Sequence, residues 1–232
     1  MTMKETGWSD VRAGDINAAT QRFWLSLGEY ADVVAKRMVV DARFVLKVGA
    51  AARSGAYEPS VQQVRARDIM KENIFGVEDA IAHLGVMPHK RHLLHMQDIG
   101  FSETVLAICK NTHVLVAYFP MSLSDLRDVF SRGRISVPMR GQWENVVFTM
   151  TDCSPGWYLV PKVALTEERP TWACVLAYTM VGHFLATGER MFEGGPVLTA
   201  DVDSLDRRVT LEFRTDGITI GHAPADPQMA AP

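Results

Sequence analysis

The residues that invite a chemical reading are a row of histidines, a loose run of aspartates, a thiol and a histidine buried in an apolar stretch. His89, His92 and His95 stand at three-residue steps in PHKRHLLHMQD. On a helix His92 and His95 share a face and His89 lies on its edge. Imidazoles one turn apart can hold Zn²⁺, which takes four ligands, and the sequence does not point to the remaining ones. The alternative is a solvated helix surface beside Lys90 and Arg91. Asp201, Asp203 and Asp206 in TADVDSLDRR resemble the acidic spacing of a calcium loop. The following glycine and distal glutamate of an EF-hand are missing, and Arg207 and Arg208 follow at once, which favours a polar turn.

Two further sets have the residue types of a nucleophile, base and orienter. Cys109, His113 and Asp125 or Asp128 are one. A reactive thiol needs a lowered pKa, whereas Cys109 falls at the expected C-terminus of a helix, where the dipole disfavours thiolate. His183 with Glu189 in GHFLATGER is the other. A histidine inside an apolar helix requires a partner, so this pair is either an acid–base dyad for hydrolysis or a hydrogen-bonded core histidine. Trp143, Trp157, Tyr158 and Trp172 fall in the second half of the chain, where aromatic rings line a ligand groove or fill a core. Trp143, Trp157, Tyr158, His183 and Glu189 are the candidate ligand-binding residues, with His92 and His95 the candidate metal ligands. Phosphate-binding glycine loops, a Gly-x-Ser-x-Gly elbow and a His-Glu-x-x-His pair are all missing from the sequence, so no catalytic residue and no cofactor is assigned.

The elements that must position these residues are organised around Pro170 to Gly221. An apolar helix runs through Trp172, Val175, Leu176, Met180, His183 and Phe184, with Gly188 or the Gly194–Gly195 pair as its stop. Pro170 is expected in its first turn. Being apolar on almost every side, the helix is expected inside, against a sheet. The hairpin RRVTLEFRTDGITIGH follows, with Val209, Leu211 and Phe213 alternating toward one face and Asp216-Gly217 at the turn. A strand over 197–199 precedes it.

Toward the N-terminus, apolar positions Phe23, Trp24, Leu27, Tyr30, Val34 and Met38 return at helical steps, predicting a long helix from Asp15 or Asn17 toward Ser54-Gly55. Ser60 can cap a helix through Met70, and shorter helices are expected over 77–84, 89–97 and 102–110. The pattern changes at Asn111. Residues 112–119 form a nearly continuous apolar run, read as a buried strand. Ser122 and Asp125 make a capping box for a helix through Phe130. Residues 132–142 read as a loop, and 143–150 and 157–160 as strands. The expected organisation is a helical N-terminal region over 1–110, an α+β C-terminal region over 111–222 and a disordered tail over 223–232. The fold class is α+β: a helical half packed on a small, mainly antiparallel sheet with one long buried helix.

The chain has 232 residues, 47% hydrophobic and 22% charged, with a net charge of −3, an ordinary globular composition. With a pI near 6.2 it has no basic excess for nucleic acid. No run approaches the length of a membrane span, and the N-terminus lacks the apolar core of a signal peptide. Three widely spaced cysteines fit free thiols in a reducing cytoplasm better than a disulfide framework.

Five segments together resemble a family of small uncharacterised bacterial proteins: IMKENIFGVEDAIAHLGV, IGFSETVLAICKNTHVLVAYFPMSLSDLR, GWYLVPK, TMVGHFLATGERMFEGGPVLTADVDSLDRRV and the closing hairpin. The resemblance runs in collinear order over residues 65–221. No activity or catalytic residue is attached to that family. Its members generally continue past the hairpin into a tail rich in Asp, Asn, Tyr and Trp. That tail is similar to the variable region of proteins diversified by retroelements, which is displayed on a C-type-lectin-like fold. The resemblance therefore implies a lectin-like body, but this chain reads HAPADPQMAAP after Gly221. The expected function is a non-catalytic binding or scaffold protein for an unknown protein or small ligand. A histidine-based, metal-dependent hydrolase and a structural, self-associating protein are the alternatives.

Overall fold

The computed structural model describes residues 20–22, 24–25, 27–28, 31–41, 57–86, 88–131, 139–140, 147–163, 170–192, 195–215 and 217–223. The chain divides into two compact units, residues 1–48 and 49–232. In the first, helix α1 (Ala31–Val40) is described, with Arg37 reaching Asp41 one turn on at 3.7 Å. The single long helix expected from Asp15 or Asn17 toward Ser54 is not continuous: Leu27 and Gly28, the latter at φ 52°, leave the α-helical conformation before α1, and Asp41 lies outside it; residues 42–54 lie outside the described set.

The second unit is α+β. Helix α2 (Val61–Met70) starts at Ser60, whose hydroxyl accepts from Gln63 N while the Gln63 side chain accepts from Ser60 N, a complete capping box. A single 3₁₀ turn, Lys71–Asn73, leads into the two-residue strand β1 (Ile74–Phe75). Helix α3 (Val77–Asp79) continues as a π-turn over Ala80–Leu84 and stops at Gly85, which is left-handed at φ 66°. Helices α4 (Lys90–His95) and α5 (Glu103–Cys109) follow, the latter capped by Ser102. Strand β2 (His113–Tyr118) is buried at all six positions, as its continuous apolar run requires. The Ser122–Asp125 box opens helix α6 (Leu123–Ser131), with Asp125 accepting from both Ser122 N at 2.8 Å and Ser122 Oγ at 2.7 Å.

Beyond α6 come β3 (Met139–Arg140), the one-turn α7 (Val147–Met150) and β4 (Gly156–Pro161). Helix α8 (Ala173–Thr187) and strands β5 (Val197–Val202), β6 (Arg208–Arg214) and β7 (Gly217–His222) complete the unit. Among the described residues there are two sheets where one was expected. The first has order β1-β2-β4, with β1 parallel and β4 antiparallel to β2. The second has order β3-β7-β6-β5, with only the β3–β7 pair parallel.

Helix α8 is the shared core of both sheets. Every residue from Ala173 to His183 is buried. Tyr178 Oη donates to the Ala117 carbonyl of β2 at 3.2 Å. On the hairpin side, the Phe184 ring meets Phe213 of β6 edge-on at 5.3 Å. Val209, Leu211 and Phe213 belong to the same core, so the alternation of β6 does point its apolar face at α8.

Three further expectations are corrected. Residues 147–150 form a helical turn, not the end of a strand; the turn lies close to α6, and tertiary context of this kind outweighs intrinsic strand preference. Residues 143–146 lie outside the described set. Pro170 stands before α8 rather than in its first turn: Trp172 is the extended cap residue at φ −59°, ψ 141°, and Asp201 of β5 accepts from Ala173 N at 2.6 Å. Strands β1 and β3, two residues each, fall where a helical region and a loop were expected. The disordered tail expected over 223–232 lies, apart from Ala223, outside the described residues.

Gly182 lets α8 approach β1. A Cβ built there would stand 2.7 Å from Phe75 Cε1, and Phe75 is fully enclosed and held edge-on against Tyr178 at 5.9 Å. Alanine gains about 1 kcal/mol of helix propensity over glycine, but overpacking a closed core costs about 1–3 kcal/mol. Gly182→Ala should therefore lower stability in urea titrations. The Gly182→Ala/Phe75→Leu double variant should lose less than the sum of the two single losses, because the second change removes the clash. Strict additivity would show that the contact does not limit the packing.

Candidate functional site

At the C-terminal end of α8 the chain builds a network of four polar side chains from four elements. Gly188 ends the helix in the left-handed region at φ 78°, its N–H donating to Phe184 O at 2.8 Å. The reversal is fixed by Thr187, whose hydroxyl donates to His183 O at 2.8 Å and accepts from Glu189 N at 3.0 Å. Glu189 is thereby turned back under the helix, and its Oε2 lies 3.1 Å from His183 Nε2. Lys162 enters from the end of β4, where its N–H bonds to Thr112 O at 2.8 Å and prolongs the β2–β4 ladder by one step. Its ammonium lies 2.6 Å from Glu189 Oε1, 2.8 Å from Oε2 and 3.1 Å from Asn73 Oδ1. Asn73, in the 3₁₀ turn after α2, donates from Nδ2 to Lys110 O at 2.7 Å.

The charges follow from this geometry. The Lys162 ammonium holds the Glu189 carboxyl below its usual range, aided by His183. Burial pushes His183 down, against the pull of Glu189 and with the help of Lys162. The imidazole is 1% exposed and is neutral at pH 7. A carboxylate can only accept, so the His183 hydrogen sits on Nε2. Nδ1 is then a bare acceptor, buried and without a hydrogen-bond partner. A carboxylate orienting an imidazole whose other nitrogen is free is the base-and-orienter half of a hydrolytic triad. Here that free nitrogen faces the packed interior, and the carboxylate is shared with a lysine.

The other candidates do not converge on this place. Trp157 and Tyr158 are successive residues of β4 and point to opposite faces of its sheet. Trp157 Nε1 donates to Met96 O at 2.9 Å, an oxygen that also accepts from Gln63 Nε2 at 2.6 Å. Tyr158 donates to Ser154 O at 3.0 Å and packs edge-on against Tyr118 at 5.7 Å. It lies four residues from Lys162, roughly 13 Å along an extended chain. Trp143 lies outside the described residues. In the histidine row, His89 is the cap of α4, its Nδ1 accepting from Arg91 N at 3.3 Å. His92 is half-buried, 6.4 Å from the Phe119 ring, and His95 is exposed. Among the described residues no three His, Cys, Asp or Glu side chains are placed to hold a metal ion.

His113 and Asp125 belong to opposite ends of β2: His113 opens the strand, and Asp125 caps the helix that follows it. Asp201 caps α8. Asp203 holds the turn before β6, accepting from Leu205 N and Arg207 N at 2.9 Å each and pairing with the Arg207 guanidinium at 2.7 Å. The aspartate run is thus a polar turn and a helix cap. No helix among the described residues is long and apolar enough to cross a membrane.

Sequence reasoning found His183 and Glu189 but missed Lys162 and Asn73, which stand 89 residues apart and meet only through the pairing of β2 with β4. No local signal marks Asn73. No protein-family model, curated protein or solved structure matches the chain.

The network makes the fold acid-sensitive. His183 is held below its ordinary value of 6.5, so below about pH 6.5 the unfolded chain binds a proton that the folded chain resists. The stability this residue contributes is complete above about pH 7 and is lost as the pH falls from there. Glu189, held below 4.5, adds a second loss at lower pH still. Urea midpoints should fall between about pH 7 and pH 5, and His183→Gln should flatten that decline while leaving the steeper loss below it. An unchanged slope in the variant would assign the acid sensitivity elsewhere, His83 being the next group depressed by burial.

Proposed function

We propose that the protein is a non-catalytic binding or scaffold protein in which the His183–Glu189–Lys162–Asn73 network is a structural latch. The observation that carries this reading is the closure of the network on itself. Both Glu189 oxygens are engaged by Lys162, Oε2 also accepts from His183, and the third Lys162 contact goes to Asn73. A general base needs a lone pair facing substrate, whereas His183 Nδ1 is enclosed. Binding is then assigned to the outer surface. Trp172 is half exposed beside Thr171, whose carbonyl accepts from Ala200 N of the edge strand β5, and β5 itself exposes Leu198 and Val202.

A lectin-like role is the form of this reading that the sequence resemblance implies, and calcium-dependent retention on immobilised glycans is its signature. Unbridged thiols fit a cytoplasmic protein. The hydrolase alternative rests on the carboxylate–imidazole pair alone.

Two measurements separate latch from active site. Lys162→Met leaves Asn73 Oδ1 and the half-exposed Glu189 without their cation and should lower stability by about 0.5–1.5 kcal/mol. Wild-type protein offered chromogenic esters and phosphoesters, with and without Zn²⁺ or Mn²⁺, should show no turnover that depends on His183. Turnover abolished by His183→Gln in a variant that keeps its fold by circular dichroism would replace the binding reading with the hydrolase. If self-association is the function, light scattering will show mass rising with concentration, and Trp172→Ala should reduce it.

A further inference from the structure

The N-terminal end of α8 carries a second set of reactive groups that neither the latch nor the proposed function uses. Cys174 is the second residue of the helix and is buried; Cys153 lies in the segment before β4 and is half-buried. Their Sγ atoms are 3.2 Å apart, inside ordinary sulfur contact and about 1.2 Å longer than a disulfide bond. The surroundings fix both thiols. Cys153 N donates to Tyr118 Oη at 3.3 Å, and that hydroxyl in turn donates to Met121 O at 2.8 Å. Tyr158 bonds to the carbonyl of Ser154, the next residue, at 3.0 Å. On the helix side, Asp201 holds Ala173 N at 2.6 Å. The two sulfurs are therefore presented to one another by anchored backbone, 21 residues apart in sequence.

We propose that Cys153 and Cys174 are a redox-active dithiol that closes into an intrachain disulfide, stapling the segment before β4 to the start of α8. The co-reactant is a low-molecular-weight disulfide. The Cys153 thiolate attacks one of its sulfurs and expels a thiolate, leaving a mixed disulfide on Cys153. Cys174, deprotonated in turn, attacks the Cys153 sulfur and expels the second small thiolate. Two protein thiols are oxidised, one small disulfide is reduced to two small thiols, and the two protein protons end on the released sulfurs. Cys153 is assigned the first attack because it is the more exposed of the two.

The site is slow by construction. Burial pushes the Cys153 thiol up, and the sulfur of Cys174 and the carboxylates of Asp201 and Asp152 push in the same direction. Tyr118 and Tyr158, the other ionisable groups beside it, are also pushed up by burial and supply no positive charge. Little Cys153 thiolate is present at neutral pH, so exchange is slow there, and closure should accelerate steadily from about pH 7 to pH 9 without a plateau.

The test uses the reduced full-length protein incubated with oxidised glutathione at about pH 8, followed by alkylation and peptide mapping. Titratable thiols should fall from the three of the sequence to one. The cross-linked peptide should join Cys153 to Cys174, with Cys109 alkylated. Cys109→Ser should still form the cross-link, whereas Cys153→Ser and Cys174→Ser should not. The oxidised wild type should melt roughly 5–10 °C above the reduced protein. Three thiols persisting after oxidant, or a cross-link through Cys109, would overturn the assignment. A Cys153–Cys174 bond that leaves the melting temperature unchanged or lower would overturn its role as a staple.

Discussion

The structure depends on enclosing one helix from all sides. A helix buried from Ala173 through His183 cannot turn a polar stripe to water, so its sequence must be apolar around its circumference and it needs a wall on each side. The two sheets supply those walls. Neither is large, and each is extended by a two-residue strand at one edge. That accounts for Gly182, where Phe75 of β1 presses into the helix more closely than any side chain would allow.

Enclosure relocates the polar problem to the helix ends. The first N–H groups and last C=O groups of a helix lack partners within it, and at a buried helix water cannot fully supply them. At the start, Asp201 reaches across from β5 to take Ala173 N; no local side chain does so. At the end, Gly188 and Thr187 close the last turn. Electrostatics adds a further constraint there. The C-terminal end of a helix carries partial negative charge, so Glu189 sits where a carboxylate is disfavoured. Lys162 offsets both the carboxylate and the dipole, which makes its contact a requirement of the turn as much as a gain from pairing. The same argument explains why polar residues are rare along the middle of α8: Thr179 satisfies itself on Val175 O at 2.7 Å, and Tyr178 on β2.

How much of this was legible in the sequence follows from the range of each interaction. Periodicity and capping act over a few residues, and several elements they marked are present: α8 with its stop at Gly188, the β6–β7 strands, the continuous run of β2, and the boxes at Ser60 and Ser122. Strands of two residues have no period to detect, which hid β1 and β3 and with them the division into two sheets. The one-turn α7 reads as strand because Val147, Phe148 and Thr149 favour that state and a single turn has too little period to show otherwise. His183 and Glu189 were readable as a pair because they lie one helical turn and a cap apart. Lys162 and Asn73 were not, since they come together only through the β2–β4 register and the turn after α2. The pairing of Cys153 with Cys174 was hidden in the same way, by a connection that passes through β4 before returning to α8.

The two polar ends of α8 also differ in what they can do. At the C-terminal end Lys162 and Glu189 are paired within hydrogen-bond distance and His183 Nδ1 is buried without a partner, as is the Nε of the neighbouring Arg190, whose guanidinium lies over the Phe184 and Phe213 rings. Such an arrangement resists protonation of His183 and ties Lys162 and Asn73 to the helix end. At the N-terminal end, the groups around the Cys153–Cys174 contact are acids or neutral hydroxyls with no cation among the groups acting on Cys153, and the thiols are close enough to react with each other. One end is held by paired charges, and the other carries two thiols in contact. A fold that seals its central helix this tightly leaves covalent change at the helix start, where one thiol still meets solvent, as one accessible route by which its surroundings can alter it.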